Sequence, residues 1–496
     1  MVVNSRPRRF IAFVASLLTA GCVAGPDFKA PAPPDVGGYT GRPLPAATIA
    51  TPGVASGKAQ RFVSGGDIPA DWWTLFHSRP LNALIEQALA NNPNLKAAQA
   101  ALLVAHENTR AQHGAYAPKV SAGVALSRER DPTGTLAPTP STNASVFSLI
   151  TPQLSVSYVP DVFGLNRRTV EAAAAQEQAS RYQLIAADIA LSANVAVAAI
   201  QEASLEDQVD ATRQLIAIGR KMLDILQYQK SKGYAGGLDL AAQQAQLAQL
   251  DASLPPLLKQ LDQQHDLLAT LAGRFPDQVM GGKFTLASLE LPSDLPVSLP
   301  SVLVARRPDV LQAEANLHAA SAQVGIATAN RLPNITLTAN GGSSALAIGE
   351  IFGPGTGFWN IGAALLAPIF DGGSLLHQQR GARAAYQEAA EQYRATVLTA
   401  FQNVADTLSA LEQDAQGLRA NAAAANAAKT SLDLSRLQYK DGYANYLALL
   451  SAEQAYQQAR IALVQAEANR FADTAALFQA LGGGWWHRTD FADHGR

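Results

Sequence analysis

The chain has few of the features that define most functional classes. It contains a single cysteine, Cys22, in 496 residues, which excludes an intrachain disulfide and any metal site built from several cysteines. Lys and Arg number 38 against 40 Asp and Glu, and basic residues neither cluster nor alternate with aromatic residues, so we predict no binding of nucleic acid. No uninterrupted apolar stretch near 18 residues predicts a membrane-spanning helix.

Sequence signatures of catalysis are also missing. The chain lacks G-x-S-x-G, H-E-x-x-H, a complete phosphate loop and a calcium loop. Its eight histidines are scattered, and we interpret His106 and His113, two turns apart on one predicted helix, as surface or wall residues rather than metal ligands. We therefore predict that the protein is not an enzyme and has no cofactor and no metal site.

The chain does contain a long internal repeat. Gly233-Tyr234-Ala235 recurs 209 residues later as Gly442-Tyr443-Ala444, and the same offset relates Asn194-Val195-Ala196 to Asn403-Val404-Ala405. This pattern predicts one architecture used twice. The predicted organisation is a signal peptide (1–21), an extended Pro-rich arm (22–70), a first structural repeat (71–285), a second structural repeat (286–484) and a C-terminal tail (485–496).

The N-terminus has the charge layout of a secretory signal. Three arginines precede an apolar run from Phe10 to Leu18 that is too short to span a membrane. The following Thr19-Ala20-Gly21-Cys22 resembles a bacterial lipobox, although Thr19 stands where Leu is commonest. The resemblance implies that Cys22 becomes an S-diacylglycerol, N-palmitoyl cysteine, and Val23 after it implies sorting to the outer membrane. The alternative is a free thiol at the end of an ordinary signal.

Each repeat contains two segments that alternate apolar and polar residues. They lie around Val120–Leu126 and Leu154–Tyr158, and around Ile335–Ala339 and Trp359–Ile369. They predict β-hairpins at about 118–160 and 333–370, with strand lengths that suit a tilted membrane strand. Four strands cannot close, and an open edge in lipid leaves unpaired backbone groups, so three copies with twelve strands are expected to form one barrel. The alternative is two surface hairpins in a soluble protein.

Long helical patterns follow each hairpin. From Val397 to Ala425 apolar residues step by four and three, as in a coiled-coil seam, and a similar seam from Leu191 to Leu226 is broken at Glu202 and Gly219. A helix from about Leu165 to Lys232 would be roughly 100 Å long at 1.5 Å per residue. Each long helix is predicted to turn at Gly-Tyr-Ala into a return helix.

Several segments carry a family resemblance that covers essentially the whole mature chain. They read CVAGPDF from Cys22, DWWTLF from Asp71, LIEQALANNPNL from Leu84, YKDGYANYLALLSAEQ from Tyr439 and ALGGGWW near the C-terminus. Together they resemble the TolC-like outer-membrane efflux proteins, in their lipid-anchored NodT-type branch. The resemblance implies an α+β, mainly α fold: four membrane strands per chain, a trimeric 12-stranded β-barrel, an equatorial region and a long periplasmic α-helical barrel.

The resemblance also implies passive export through a homotrimer in outer-membrane lipid. An inner-membrane pump, of the resistance-nodulation-division type for small molecules such as drugs, and a periplasmic membrane-fusion adaptor would load the substrate. The alternatives are the outer-membrane channel of a type I protein secretion system, or a structural periplasmic coiled-coil lipoprotein. The paired alternating strands argue against a simple tether, which would not need them.

The family closes its inner mouth just past the helix turns. Carried over to this chain, the gate candidates are Leu447, Ser451 and Asp239, and the candidates for the helix-turn tip and adaptor docking are Gly233, Tyr234, Gly442 and Tyr443. Many relatives carry Asp where Ser451 stands, so a ring of carboxylates at the mouth is not implied here. The alternative for Leu447 is an ordinary coiled-coil packing residue.

We predict that Cys22 is the acylated N-terminus of the mature protein. Mass spectrometry of the purified protein should find a chain that starts at Cys22 and carries the added acyl mass. Cys22→Ser should abolish that mass while membrane insertion continues, because a barrel is a second and stronger anchor. An unmodified Cys22, or cleavage elsewhere, would contradict the prediction.

Overall fold

The computed structural model describes residues 23–130, 146–278, 284–489 and 491. The predicted signal peptide, Cys22 and the loop from Asp131 to Ser145 lie outside the described residues. Within them, eight α-helices are present: α1 Arg79–Asn91, α2 Pro93–His113, α3 Leu165–Ser231, α4 Gly237–Leu271, α5 Pro300–Arg306, α6 Pro308–Ala329, α7 Ser374–Lys440 and α8 Tyr446–Ala480. The described strands are β1 Arg61–Ser64, β2 Lys119–Arg130, β3 Val146–Tyr158, β4 Asp294–Val297, β5 Asn334–Ser343 and β6 Gly357–Leu366.

These elements group into two compact units. Unit 1 comprises the described residues of Met1–Pro31, Leu102–Ser180 and Ala313–Tyr393, and unit 2 those of Ala32–Ala101, Arg181–Gln312 and Arg394–Arg496. Each unit therefore contains parts of both predicted repeats, which indicates that equivalent segments of the duplication pack together.

Unit 1 contains the antiparallel sheet β2-β3-β5-β6, formed by both predicted hairpins. Its register places the apolar residues of neighbouring strands opposite one another, with Ala122 across from Leu154 and Ala339 across from Ile361. Since directly paired residues point to the same side of a sheet, one face is apolar and the other carries the Ser, Thr, Asn and Gln side chains. The predicted hairpins and their alternation are confirmed.

The start of the described chain is fastened within unit 1. Arg168 on α3 is almost wholly buried, and its guanidinium lies 2.7 Å from Asp27 and 2.7 Å from Glu171. Phe28 stacks on the ring of His318, with centroids 4.3 Å apart, and His318 Nε2 lies 2.9 Å from Glu171 Oε1. Burying an arginine is costly unless its donors are occupied, so these contacts stabilise residues 24–28 as well as the helix.

The coiled-coil seams are present in unit 2, and their apparent breaks have partners. The predicted positions from Val404 to Ala425 of α7 are buried, and α3 spans Leu165–Ser231, one residue short of the prediction. At Glu202, which is also buried, the carboxylate lies 2.6 Å from His265 Nε2 of α4. At Gly219, the carbonyl accepts a hydrogen bond of 2.7 Å from Gln243 of α4. Side chains of the return helix α4 therefore form an ion pair at the first interruption and a hydrogen bond at the second.

One helix corrects the expectation about apolar stretches. By length and composition α3 could cross a membrane, since an 18-residue window reaches a mean hydropathy of 1.7. Of that window, 67% is buried inside the protein, which is the environment of a core helix. Alanine-rich segments such as Ala193–Ala199 account for both properties, because alanine is apolar and small enough to let helices pack closely.

The predicted arm and tail are more structured than the sequence indicated. Within unit 2, β1 of the arm pairs in parallel with β4, and Arg61 lies 2.7 Å from Asp294. The tail also packs on this unit, because Trp485 Nε1 donates to the carbonyl of Arg306 at 2.7 Å and His487 Nε2 lies 2.7 Å from Asp67.

A buried arginine of α8 holds the arm of unit 2. Arg470 is fully buried, and its Nη2 donates to Gln60 Oε1 at 2.8 Å and to the carbonyl of Lys58 at 3.3 Å. Beside it, burial raises the pKa of Asp473 to about 7, reinforced by a hydrogen bond and charge repulsion from Asp414, while Arg470 acts in the opposite direction. A proton on Asp473 therefore relieves both the burial of its charge and the repulsion from Asp414.

This acid pair predicts a pH dependence of stability. The pKa of Asp473 is raised from 3.8 to about 7. The stability that protonated Asp473 contributes to the fold is therefore complete below pH 3.8 and is lost as the pH rises through about 7. Asp473→Asn keeps the shape without the charge, so its melting temperature should fall less than that of the wild type between about pH 5 and about pH 8. The control is Asp406→Asn on exposed α7 surface, which should follow the wild type. Equal falls in all three proteins would contradict the prediction.

Candidate channel gate and helix-turn tip

The two Gly-Tyr-Ala turns have the same backbone geometry. Gly233 and Gly442 adopt φ of +77° and +80°, and a Cβ on either would meet no atom within 4 Å. Glycine is therefore needed for its left-handed conformation and not for space. The following amides close the turns alike, since Tyr234 donates to the carbonyl of Gln229 and Tyr443 to that of Gln438, each at 2.8 Å.

The predicted tip residues are exposed in the single chain. The exposed fractions are 84% for Tyr234 and 87% for Tyr443. Leu447, on the first turn of α8, is 47% exposed, so packing within one chain does not account for its side chain. These three side chains are available to another chain or to a pore, and aromatic residues of this kind are common where protein surfaces meet.

Two gate candidates make local hydrogen bonds within their own helices. The hydroxyl of Ser451 donates to the carbonyl of Leu447 at 2.9 Å, and the Asp239 carboxylate accepts from the amide of Gly236 at 3.3 Å. The bond of Asp239 caps the first turn of α4, where a negative charge is favourable. Asp239 thus has a structural role that the sequence analysis did not assign, and the structure places it at a helix start beside its turn.

Polar contacts between the repeats fasten the helices next to the turns. Tyr439 donates to Gln229 at 3.1 Å, the buried Tyr446 donates to Gln243, and Gln454 donates to Gln246 at 2.6 Å. Each pair is separated along the chain by nearly the repeat offset. Near-equivalent positions of the two repeats therefore face each other, as expected across a pseudo-twofold axis.

An apolar cluster surrounds these contacts. Leu226, Leu432, Tyr446, Leu449 and Ala452 form its buried part. Burial is the main cause that raises the pKa of Tyr446, so its hydroxyl remains a neutral donor. Polar bonds in such surroundings are strong, and an unmatched partner there is costly.

A charged pair borders the cluster. Burial raises the pKa of Glu453, while Arg436, whose Nη2 lies 3.5 Å from its carboxylate, acts to lower it. The pair connects α7 to α8 of the same repeat, so it supports the contacts between the repeats without taking part in them.

Sequence analysis missed Tyr446 and its glutamine partner. The repeat offset aligns Tyr446 with Gly237, and a large side chain opposite a glycine is the signal that could have identified it. The glutamines sit among many others on α4, and nothing in their spacing distinguishes them. Among the described residues, no group of three or more His, Cys, Asp or Glu side chains could hold a metal ion. His106 instead lies 2.9 Å from Glu177.

Comparison with known proteins identifies relatives over nearly the whole chain. The family profile described as "Outer membrane efflux protein" matches residues 84–274 and 299–483. The chain is 30% identical to "Pyoverdine export outer membrane protein OpmQ" of Pseudomonas aeruginosa over 442 residues, which covers 87% of this chain and 92% of that protein. It is 29% identical to "Outer membrane protein OprJ" of the same species, with 96% and 95% covered.

A solved structure agrees in fold. The outer-membrane channel OprN superposes with a TM-score of 0.81 at 25% identity, over 94% of this chain and 100% of that one.

The tip contacts predict a specific effect on opening. Tyr446→Phe leaves the buried side-chain oxygen of Gln243, Oε1, without its donor, at a cost of roughly 1–3 kcal/mol. The variant should open more often in planar bilayers, because the two repeats separate more easily. Tyr443→Phe removes an exposed hydroxyl from the turn and serves as the matched control. The same open probability in Tyr446→Phe, Tyr443→Phe and the wild type would contradict the prediction.

Proposed function

Because the chain belongs to the outer membrane efflux protein family, we propose that three copies form one conduit whose inner end is closed by the Gly-Tyr-Ala turns. The protein is an outer-membrane efflux channel. The observation that carries the proposal is the four-stranded sheet of unit 1, in which β2 pairs only with β3 and β6 only with β5 among the described strands. In lipid, those two edges need partners, and β2 of one copy can pair with β6 of the next.

Export needs an energy source that a passive channel does not supply. We propose that a periplasmic membrane-fusion adaptor docks at the exposed turns around Tyr234 and Tyr443, and that an inner-membrane pump of the resistance-nodulation-division type delivers small molecules. The names of relatives support small-molecule cargo, since they include pyoverdine export and toluene efflux proteins. Protein secretion is less favoured for the same reason. Acylation of Cys22 belongs to the same proposal as an additional anchor.

The experiment that tests the conduit uses the purified full-length protein. Native mass spectrometry should give a trimer, and planar bilayers should show unitary conductance steps. A structural lipoprotein or an enzyme gives no such steps, and a monomer without conductance would overturn the proposal. Crosslinking from position 234 or 443 to a co-expressed membrane-fusion adaptor tests the docking part separately.

We predict that Leu447 contributes to a narrow apolar ring in the trimer. Leu447→Ala, with Ser451 intact, should raise single-channel conductance because the constriction loses volume and a hydrophobic barrier to water. The matched control is Leu437→Ala, an exposed leucine on α7 before the turn. Unchanged conductance in intact Leu447→Ala trimers would reduce Leu447 to a packing residue.

A charge at the neighbouring position should change selectivity instead. Ser451→Asp adds one carboxylate per copy, so the pore should favour cations, and the effect should weaken as salt is raised. Ser451→Asn is the neutral control. Reversal potentials that are the same in both variants would show that position 451 does not face the ion path.

A further inference from the structure

The two faces of the membrane sheet can be assigned from side-chain contacts. Ser127 donates to Glu129 at 2.7 Å, and Asn340 donates to Asn360 at 2.9 Å. Both pairs lie on the polar face, which follows from the alternation along each strand. Arg128, which lies between Ser127 and Glu129, therefore points to the apolar face, together with Val124 and Leu126.

The hairpin connection between β5 and β6 folds over that apolar face. The register of β3 and β5, continued by one residue from the Gln153–Gly342 pair, sets Ser343 across from Pro152 on the apolar side. The Ser343 hydroxyl donates to the carbonyl of Ile351 and contacts Thr356 Oγ1 at 2.8 Å. The strand pairing continues to a bridge between Ile150 and Ala345, and both of these residues are buried. The connection is thus held against the side of the sheet that faces lipid in a barrel.

An apolar cleft of about 720 Å³ lies between this connection and the sheet. Its walls from the sheet include Ala122, Val124, Pro152 and Leu154, and its wall from the connection includes Ile351 and Phe352. The Phe352 side chain is 95% exposed in the single chain. The cleft is continuous with the apolar band of the sheet, so an acyl chain lying on that band can extend into it.

Basic residues lie beyond the cleft on the same strand face. Arg128 is four residues past Val124, about 14 Å further along β2 at 3.4 Å per residue, and Arg130 follows on the same side. Both are exposed. Glu129 points to the opposite face, and Glu350 is the acidic residue of the β5–β6 connection. Strands β2 and β5 begin a few residues after helices α2 and α6, so the opposite strand ends, which form the hairpin connections, mark the outer-leaflet end of the barrel.

We propose that this cleft and the two arginines bind a phosphorylated, acylated glycolipid of the outer leaflet. An acyl chain occupies the cleft under Phe352, and Arg128 and Arg130 contact the phosphate groups at the level of the headgroups. Apolar contact below and positive charge above match the two chemical parts of such a lipid. The proposal goes beyond export, because it concerns the lipid side of the barrel and not the conduit.

The test measures retention of lipid A by purified trimers with native mass spectrometry. Arg128→Gln/Arg130→Gln should weaken retention on the order of tenfold, since each basic residue near an anionic surface contributes substantially. Lys119→Gln, at the opposite end of β2, is the control for charge and should retain lipid A like the wild type. Gly341→Phe should also reduce retention, because a Cβ at Gly341 has no closer neighbour than a carbonyl at 4.0 Å and the ring can fill the cleft.

Two further measurements make the result unambiguous. Phosphatidylglycerol is the competing probe, and retention equal to that of lipid A would overturn the assignment to a glycolipid. Undiminished lipid A on both the double arginine variant and Gly341→Phe would overturn the site itself. Trimer mass and conductance are recorded on the same samples. If the wild type forms no trimer or shows no conductance, the proposed conduit is contradicted. Retention of lipid A is measured independently of both and tests the lipid site.

Discussion

The constraint on which the rest of this protein depends is the need to pair backbone groups in a membrane. One chain provides four adjacent strands, and within the described residues β2 and β6 remain sheet edges. Lipid offers no hydrogen bonds to replace the missing partners, so a single copy is incomplete in its own environment. A channel follows from this incompleteness, because closing the sheet with further copies encloses the polar face that carries Asn340 and Asn360.

The duplication then solves a second problem, which is how to hold long helices side by side. Equivalent segments of the two repeats meet in unit 2, where Tyr439, Tyr446 and Gln454 are hydrogen-bonded to glutamines of the first repeat. These bonds are few and sit in apolar surroundings, so each has a large effect on whether the helices stay together. Two identical repeats would have the same residue at both aligned positions. The repeats have diverged here, with Gly237 in the first and Tyr446 in the second, and Tyr446 provides the hydrogen bond to Gln243.

Much of the fold was predictable because its signals are periodic and local. The hairpins follow from alternation at Val120–Leu126, the seams from the spacing of Val404 and Leu408, and the turns from Gly233 and Gly442. Contacts between distant segments were not predictable in the same way. In the sequence, Glu202 and Gly219 interrupt the apolar coiled-coil pattern of α3, because their partners His265 and Gln243 lie on another helix. The sequence predicted an extended arm, because the contacts that order it, those of Arg470 with Lys58 and Gln60, form only in the folded unit.

The sequence by itself determined the duplication, the type and length of the main elements, and the family, since each depends on spacing or on residue types that a single chain displays. Only the tertiary structure decided which polar residues are buried together. Asp473 is buried beside Asp414, Tyr446 donates to Gln243, and Ser343 holds the β5–β6 connection against the apolar face. The physical reason is that burial and hydrogen bonding are properties of position in three dimensions. The same side chain is a solvated surface group in one place and a structural contact in another.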